Sequence, residues 1–480
     1  MKNKWKITLK QGCALFMAVY VVFTVGLYLI AGDAFKYQVS DQSIVSVEGN
    51  TPIGALQKGD SVEQTFTPQT NILDSFSLKF ATFGRQNTGS VRVKLLNDAD
   101  KSVLLDKQLD ISGFQDNAFV TIKPEKQIEA VKGKTLRVSI VSETGTPDNA
   151  VTLWSNTTNK DPNQQLYLNG KPINGVLCFN VAEKDVLLFG QYYFEIMGAI
   201  GLALLAYCIN LIYRRKKGIK SLGLNIINAF TRYEFLLSQL VSRDFKTKYK
   251  RSVLGVLWSF LNPLLSMMVQ YIVFSTIFKS NIPNFAVYLL IGIVFFNFFS
   301  EATSMGLMAI VGNSSLITKV YIPKYIFPVS RTLSSTINLL ISMIPLLLVV
   351  LITRAPITPA LLLLPFSIVC AIIFSIGMSF ILSAAMVFFR DMQFLWGVVI
   401  MLWMYATPIF YPESILPQKL MWLFKMNPLY HFIRFSRTII LDGVSPEPKA
   451  YLFCLIAAFV PLAIGAVVFK KTQDKFILNI

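Results

Sequence analysis

Residues 243–265 constrain the fold strongly, because a cluster of cations is followed almost at once by a long apolar run. The cations of this cluster are Arg243, Lys246, Lys248, Lys250 and Arg251. The apolar run continues to Phe278, which is long enough to cross about 30 Å of hydrocarbon. Cations beside such a run favour the anionic cytoplasmic surface of a membrane. The stretch therefore predicts a basic cytoplasmic segment that leads into a membrane-spanning helix.

Composition places the chain among membrane proteins, since 53% of its residues are hydrophobic and 15% are charged. The net charge of +18 is unevenly distributed. Residues 32–185 have 16 basic and 18 acidic side chains, so the excess of positive charge lies elsewhere, at the ends of apolar runs. The positive-inside rule explains this distribution better than nucleic-acid binding does.

Apolar runs predict about eight membrane spans. The first is residues 13–31, after a basic N-terminus, and we interpret it as an uncleaved span rather than a signal peptide. The second is 186–213, which a basic flank to residue 220 follows. The remaining six are 253–278, 285–307, 327–351, 359–388, 394–410 and 449–470. Basic residues at the span ends place both termini in the cytoplasm and residues 32–185 outside it.

Residues 32–185 have a different pattern from the rest of the chain. Apolar and polar residues alternate in short runs at 61–66, 75–80, 90–95, 118–122, 135–141 and 150–154, with turn residues between them. This pattern predicts an antiparallel, jelly-roll-like β-sandwich. The pattern resembles that of the sandwiches in carbohydrate-binding modules, so Phe83, Trp154 and Tyr167 are candidate glycan-stacking residues, although one of them is expected in the core.

Four segments together resemble the permease domain of ABC-2 type exporters, in the branch that exports O-antigen, teichoic acid and related polysaccharides. They are the stretch 243–265, Leu316–Lys324, Ala406–Pro412 and Asn427–Tyr430. The resemblance covers about residues 225–480 and implies a six-span permease domain over 221–480. It further implies an interface helix near 225–241 and a re-entrant outer segment at 411–448. Residues 1–220, with two spans and the β-domain, lie outside it.

The resemblance implies no catalysis by this chain. Gly133-Lys134-Thr135 superficially matches a phosphate-binding loop, but the glycine needed five residues earlier is Ile128. We therefore expect no metal and no cofactor here, with ATP and Mg²⁺ on a separate ATPase subunit. The expected assembly is a homodimer of this chain with two ATPase subunits. The candidate ATPase-coupling residues are Leu316, Lys319, Val320, Tyr321, Ile322, Lys324, Arg390 and Asp391.

Two further sets of residues are candidates for substrate handling. The cations Arg243, Lys246, Lys248, Lys250 and Arg251 form a candidate entrance for the pyrophosphate of a polyprenyl-diphosphate-linked glycan, with attraction of phospholipids as the alternative. The candidate conduit residues are Trp258, Phe296, Phe299, Glu301 and Tyr405, with lipid packing as the alternative for the aromatic ones. Glu301 is included because an acid within a span is a candidate for a gate or pore lining, with a position at the end of the helix as the alternative.

These observations favour the transmembrane subunit of an exporter for a lipid-linked surface polysaccharide or teichoic acid, in a bacterial plasma membrane. Two alternatives stay open at this stage. One is an ABC-2 exporter of a drug, peptide or simple lipid, and the other is a membrane scaffold without transport. For the β-domain four functions stay open: binding of the glycan, a cap on the exit, a dimer contact, or a docking site for a cell-wall enzyme.

Overall fold

The structure is a computed structural model that describes residues 8–40, 49–158, 164–250, 252–277, 284–320, 322–415, 417, 419 and 421–479. The chain divides into two compact units. One comprises Met1–Ala34 and Tyr193–Ile480, and we call it the membrane unit. The other is Phe35–Tyr192, and we call it the β unit.

Most of the long helices are apolar, as in a membrane protein. In chain order they are α1 (Leu9–Lys36), α2 (Leu188–Gln191), α3 (Tyr193–Lys216), α4 (Leu222–Tyr249), α5 (Leu257–Ile272), α6 (Phe285–Leu307), α7 (Ser314–Lys319), α8 (Ile326–Ile352), α9 (Leu364–Phe388), α10 (Met392–Tyr405), α11 (Met421–Lys425), α12 (Pro428–Arg437), α13 (Pro448–Thr472) and α14 (Phe476–Asn479). Two π-helical turns follow α5 and α12, at Val273–Ile277 and Thr438–Asp442.

Among the described residues, seven helices are long and apolar enough to cross a membrane. They are those built on α1, α3, α5, α6, α8, α9 and α13. The span predicted at 394–410 is instead the 14-residue helix α10. At 1.5 Å per residue, α10 is shorter than the hydrocarbon core, and its N-capped neighbour α12 lies in the segment expected to be re-entrant.

Helix α4 is longer than the predicted interface helix and ends only at Tyr249. Arg243, Lys246 and Lys248 therefore lie on its last turns, not on the segment that enters α5. Phe278, the predicted end of the next span, lies outside the described residues.

Helices α9 and α13 cross closely at two glycines. A Cβ added at Gly465 would lie 2.3 Å from the carbonyl oxygen of Gly377, and one added at Gly377 would lie 2.5 Å from the backbone nitrogen of Leu462. Only residues without a Cβ allow the two backbones to approach this closely, as at other small-residue crossings in membranes. Helix α6 is the most enclosed of the spans, with 78% of its most apolar window buried inside the chain.

The β unit is a sandwich of two antiparallel sheets, as predicted. Its strands are β1 (Tyr37–Ser40), β2 (Thr51–Pro52), β3 (Ser61–Phe66), β4 (Ile72–Ala81), β5 (Ser90–Asn97), β6 (Val103–Asp110), β7 (Ala118–Ile122), β8 (Ile128–Glu129), β9 (Leu136–Ser142), β10 (Thr152–Asn156), β11 (Leu166–Leu168), β12 (Lys171–Ile173), β13 (Val176–Leu177) and β14 (Phe179–Val186). One sheet has the order β1-β14-β4-β10-β13, with β7 and β8 also paired to β4 and β2 to β10. The other has the order β12-β11-β3-β9-β5-β6.

Both sheets contribute one face to a shared apolar core. In β4 the side chains of Phe76, Leu78 and Phe80 are fully buried, whereas Ser77 and Lys79 between them are only partly buried. Across the sandwich, the ring of Phe66 on β3 meets that of Phe179 on β14, with centroids 5.2 Å apart. The alternation in the sequence therefore reflects one buried and one outward face on each strand.

Candidate functional site

A polar network joins four helices at the C-terminal end of α4. The ammonium of Lys248 donates to Oε2 of Glu301 at 2.8 Å, and Nδ2 of Asn338 donates to Oε1 of the same carboxylate at 2.6 Å. The side chains of Lys248 and Glu301 are 39% and 27% exposed. Glu301 therefore holds an ion pair and a hydrogen bond while it stays accessible to solvent.

The network continues through Asn338 on α8. Oδ1 of Asn338 accepts a hydrogen bond from the hydroxyl of Tyr249 at 2.9 Å, and that hydroxyl also contacts the hydroxyl of Ser259 on α5. The hydroxyl of Ser342, one turn beyond Asn338, donates to the carbonyl of Ser259 at 3.0 Å. We call Lys248, Tyr249, Ser259, Glu301 and Asn338 the polar network. It connects α4, α5, α6 and α8 through side chains.

A second ion-pair cluster lies beside it on α4. The carboxylate of Asp244, only 3% exposed, binds the guanidinium of Arg243 at 2.9 Å and that of Arg331 on α8 at 3.2 Å. Arg243 also donates to Oδ1 of Asn313 at 3.1 Å. Asp244 and Asn338 were missed as site residues from the sequence. The signal for Asp244 was an acid within a basic cluster, whereas nothing distinguished Asn338.

The five candidate entrance cations differ in whether they form an ion pair. Arg243 and Lys248 are held in the ion pairs described above. Lys246 and Lys250 are exposed. Arg251 lies outside the described residues.

The candidate conduit residues fall into an accessible group and a buried group. Trp258 is 47% exposed and Tyr405 is 60% exposed, and Glu301 belongs to the polar network. Phe299 has no exposed surface and Phe296 is 5% exposed, so these two side chains are enclosed within one chain. The ring of Phe299 packs against those of Phe374 and Trp403, with centroids 5.3 and 5.0 Å apart. In this conformation the two phenylalanines take part in the packing of helices within the chain.

The candidate coupling segment has one buried and one exposed side. Ile317 on α7 is buried, Leu316 and Ile322 pack against the same apolar cluster, and Val320 is 50% exposed. Lys319 is also exposed, and Tyr321 lies outside the described residues.

Lys324, at the end of this segment, contacts the C-terminal part of the chain. Its ammonium donates to the carbonyl of Gln473 at 2.5 Å and lies 5.8 Å from the centroid of the Phe476 ring. Arg390 and Asp391 are exposed between α9 and α10, on a separate turn. The exposed candidates for a partner contact are therefore Lys319, Val320, Arg390 and Asp391.

The two Pro-containing motifs near the other end of the bundle are joined by side chains. Asn427 accepts from the indole nitrogen of Trp403 at 2.8 Å and donates to the hydroxyl of Thr407 at 2.8 Å. Arg437, 7% exposed, donates to the carbonyl oxygens of Pro408 at 2.7 Å and Tyr288 at 3.2 Å. These bonds join the segment after α10 to both ends of α12, and Arg437 also binds α6.

The three candidate glycan-stacking side chains lie at three separate places in the β unit, one on each sheet and one in a loop. Trp154 is on β10, and Tyr167 is on β11 of the other sheet, where the Arg137 guanidinium lies 4.9 Å from the centroid of its ring. Phe83 is 52% exposed in the loop after β4. Within the ranges that the structure describes, no three His, Cys, Asp or Glu side chains gather as a metal site would require.

The family model and the relatives that match this chain agree on one family. The family model described as "ABC-2 type transporter" matches residues 236–441. The O-antigen export system permease protein RfbA of Klebsiella pneumoniae is 31% identical over 244 residues, which cover 50% of this chain and 93% of that protein. The protein of the same name from Myxococcus xanthus is 29% identical over 257 residues, covering 53% of this chain and 98% of the relative. The polysialic acid transport protein KpsM of Escherichia coli is 24% identical over 245 residues, covering 50% and 94%.

Proposed function

The chain belongs to the ABC-2 type transporter permeases, and from this premise we propose that it is the membrane subunit of an ATP-powered exporter of a lipid-linked polysaccharide. The relatives named above are export or transport permeases for O-antigen and polysialic acid. This supports a polysaccharide cargo and gives no support to a drug, peptide or simple lipid. A scaffold without transport is likewise not favoured.

The observation that supports a transport path most directly is the polar network. It includes an accessible carboxylate, that of Glu301, in contact with Lys248 at the basic C-terminal end of α4. We propose that the diphosphate of a polyprenyl-linked glycan approaches the exposed cations Lys246 and Lys250 first. It then competes with Glu301 for Lys248, because a diphosphate offers more negative charge than one carboxylate.

Release of Lys248 would leave Glu301 bound only to Asn338. Asn338 is also hydrogen-bonded to Tyr249 and Ser259. Binding of substrate would therefore change side-chain contacts on α4, α5, α6 and α8 together. We propose this exchange of ion-pair partners as the step that loads the transporter. Trp258 and Tyr405, both about half exposed, are proposed conduit residues beyond it.

ATP hydrolysis is assigned to a separate subunit with its own Mg²⁺. We propose that two copies of this chain pair, with two ATP-binding subunits beneath them. Val320 and Lys319 on the exposed side of the coupling segment, with Arg390 and Asp391, would contact those subunits. An exposed apolar side chain among charges suits a contact that forms and changes during each cycle.

The charges at the helix ends support one orientation in the membrane. Arg214, Arg215 and Lys216 end α3, and Lys470 and Lys471 end α13. By the positive-inside rule we propose that both termini are cytoplasmic and that the β unit is outside.

Depletion of this protein from the cells that make it tests the proposal. We expect lipid-linked glycan to accumulate and to stay shielded from glycan-degrading enzymes added to intact cells. Unchanged lipid-linked glycan together with normal surface polysaccharide would overturn the proposed function.

A further inference from the structure

The outward face of the eight-stranded sheet has an aromatic strip that the transport path does not use. Lys79 on β4, Phe119 on β7 and Trp154 on β10 all project from this face. The ammonium of Lys79 lies 5.9 Å from the centroid of the Phe119 ring and 5.9 Å from that of Trp154. One cation therefore lies between two aromatic rings.

The strand register explains why these three side chains share a face. Lys79 pairs with Phe119 across β4 and β7, and its core-facing neighbours Leu78 and Phe80 are fully buried. Leu153, next to Trp154, is fully buried too. Side chains alternate between the two faces of a strand, so the strip faces away from the core.

The indole of Trp154 is held in place. Its nitrogen donates to Oδ1 of Asn117 at 2.7 Å. The backbone of Gly49 also passes so close that a Cβ there would lie 2.8 Å from Cβ of Trp154. An aromatic ring that is fixed before binding loses little conformational entropy when a ligand stacks on it.

The loop that holds Asn117 also positions Phe83. Oδ1 of Asp116 accepts the backbone N–H of Thr82 at 2.7 Å and of Phe83 at 2.8 Å. These bonds favour the ionised carboxylate and lower the pKa of the Asp116 carboxyl. Phe83, with a left-handed φ of 53°, is thereby held exposed at this end of the sheet.

Lys79 has no carboxylate partner among the residues that the structure describes. Its neighbours on the same face include the hydroxyls of Ser77 and Thr121, which bond each other at 2.9 Å. The face thus alternates flat apolar rings with polar groups, and it is not one continuous apolar patch of the kind that protein partners cover.

We propose that the strip of Lys79, Phe119 and Trp154, with Phe83 at its edge, is a binding platform for the polysaccharide that this permease exports. A pyranose ring has an apolar C–H face that stacks on an aromatic ring, and a rim of hydroxyls that accept hydrogen bonds from an ammonium. Phe119 and Trp154 lie on β7 and β10, the strands on either side of β4, so their rings are about two strand spacings, or about 10 Å, apart and suit sugar rings that are not adjacent in the chain. The inference rests on the proposed function for the identity of its ligand.

This assignment excludes Tyr167, which lies on the other sheet beneath Arg137. Tyr167 is therefore the matched control, because it is also a partly exposed strand aromatic with a cation at its ring.

The test measures binding to the purified full-length chain in lipid nanodiscs. The probe is lipid-free polysaccharide, released by mild acid from the cells that make this protein. We expect Trp154→Ala and Phe119→Ala each to weaken binding about tenfold or more, since buried aromatic anchors dominate such contacts. Tyr167→Ala should bind as wild type does. Trp154→Phe, which keeps a ring, should stay within about threefold of wild type.

Wild-type affinity in the Trp154 and Phe119 variants, or an equal loss in Tyr167→Ala, would overturn the platform. A changed oligomeric state in Trp154→Ala with unchanged glycan binding would also overturn it, by making the face a contact between copies. Because lipid-linked glycan in depleted cells is measured separately, a platform that fails leaves the transport proposal standing. Thermal unfolding of each variant identifies any that do not fold. If the alanine variants do not fold, Phe119→Leu decides, because it keeps an apolar side chain and removes the ring: it should weaken binding, and wild-type affinity would overturn the platform.

Discussion

The ammonium of Lys248 on α4 lies 2.8 Å from Oε2 of Glu301 on α6, although 53 residues separate them in the chain. One residue was expected at the entrance for substrate and the other in the conduit. Their contact means that the proposed entrance and the proposed conduit meet at this ion pair. A change at either side chain therefore changes the surroundings of the other.

The ion pair is expected to matter for export more than for stability. Both side chains are partly exposed, and such pairs contribute about 0–1 kcal/mol to folding. Lys248→Ala should nonetheless slow export about tenfold, because the diphosphate loses its innermost cation. The rate at which new polysaccharide reaches the surface measures this effect. The swapped double variant Lys248→Glu with Glu301→Lys should recover part of the rate, and no recovery would show that the pair itself is not what matters.

Asp244 is expected to anchor α4 to α8. Replacing it with Asn leaves Arg331 partly buried without its carboxylate, which costs about 3 kcal/mol in comparable cases. Asp244→Asn should therefore lower the free energy of unfolding by about this amount, measured by denaturant titration in mixed micelles. Glu234→Gln, at an exposed position of the same helix, is the control and should change little. Equal stabilities of the two variants would contradict the anchoring role.

The crossing of α9 and α13 depends on Gly377. A methyl group there would overlap the backbone of Leu462, so Gly377→Ala should destabilise the membrane unit by about 2 kcal/mol. Gly397→Ala on α10 is the matched control, because nothing lies within 4 Å of its added Cβ. Thermal unfolding in detergent should separate the two variants. The crossing would need revision if Gly377→Ala were as stable as Gly397→Ala.

Glu183 on β14 should make the stability of the β unit depend on pH. Burial raises the pKa of its carboxyl above the usual 4.5, against the opposing effect of N–H donors from Gln69 and Thr70. The folded state therefore binds this proton more tightly than the unfolded chain does. This part of the stability is fully present below pH 4.5 and is lost as the pH rises through the folded pKa.

Glu183→Gln should remove this pH dependence and raise stability at neutral pH. Calorimetry of the full-length chain between about pH 4 and about pH 8 measures the change. A variant whose stability falls with pH as steeply as that of wild type would mean that Glu183 is not the titrating group.

The β unit was predictable because its signal is local. Alternation within Ser61–Phe66 and Ala118–Ile122 gave strands that the structure reproduces with the same bounds. Strand β14 was not found, because its final residues adjoin the apolar run of the second span. Which aromatic residues face outward together, such as Phe119 and Trp154, depends on register between distant strands and could not be derived.

The candidate site was less predictable than the spans. Helix α6 is apolar around its whole circumference, so its sequence did not reveal that Phe299 is enclosed while Glu301 is accessible. The partners of Glu301 and Asp244 come from other helices, and helix packing, not spacing in the sequence, brings them together. The hydrogen bond from Lys324 to Gln473 likewise depends on where the C-terminal segment packs, so the sequence did not predict it.

ATP-dependent movement of the glycan in a purified system tests the central claim most directly. Proteoliposomes would contain this chain with its ATP-binding subunit, and lipid-linked glycan extracted from the same cells. The measurement is the fraction of glycan that an added glycan-degrading enzyme cannot reach. We expect ATP to change this fraction in vesicles with wild-type protein, and much less in vesicles with Lys248→Ala. Vesicles that hydrolyse ATP at a normal rate but leave the fraction unchanged would contradict the proposed function.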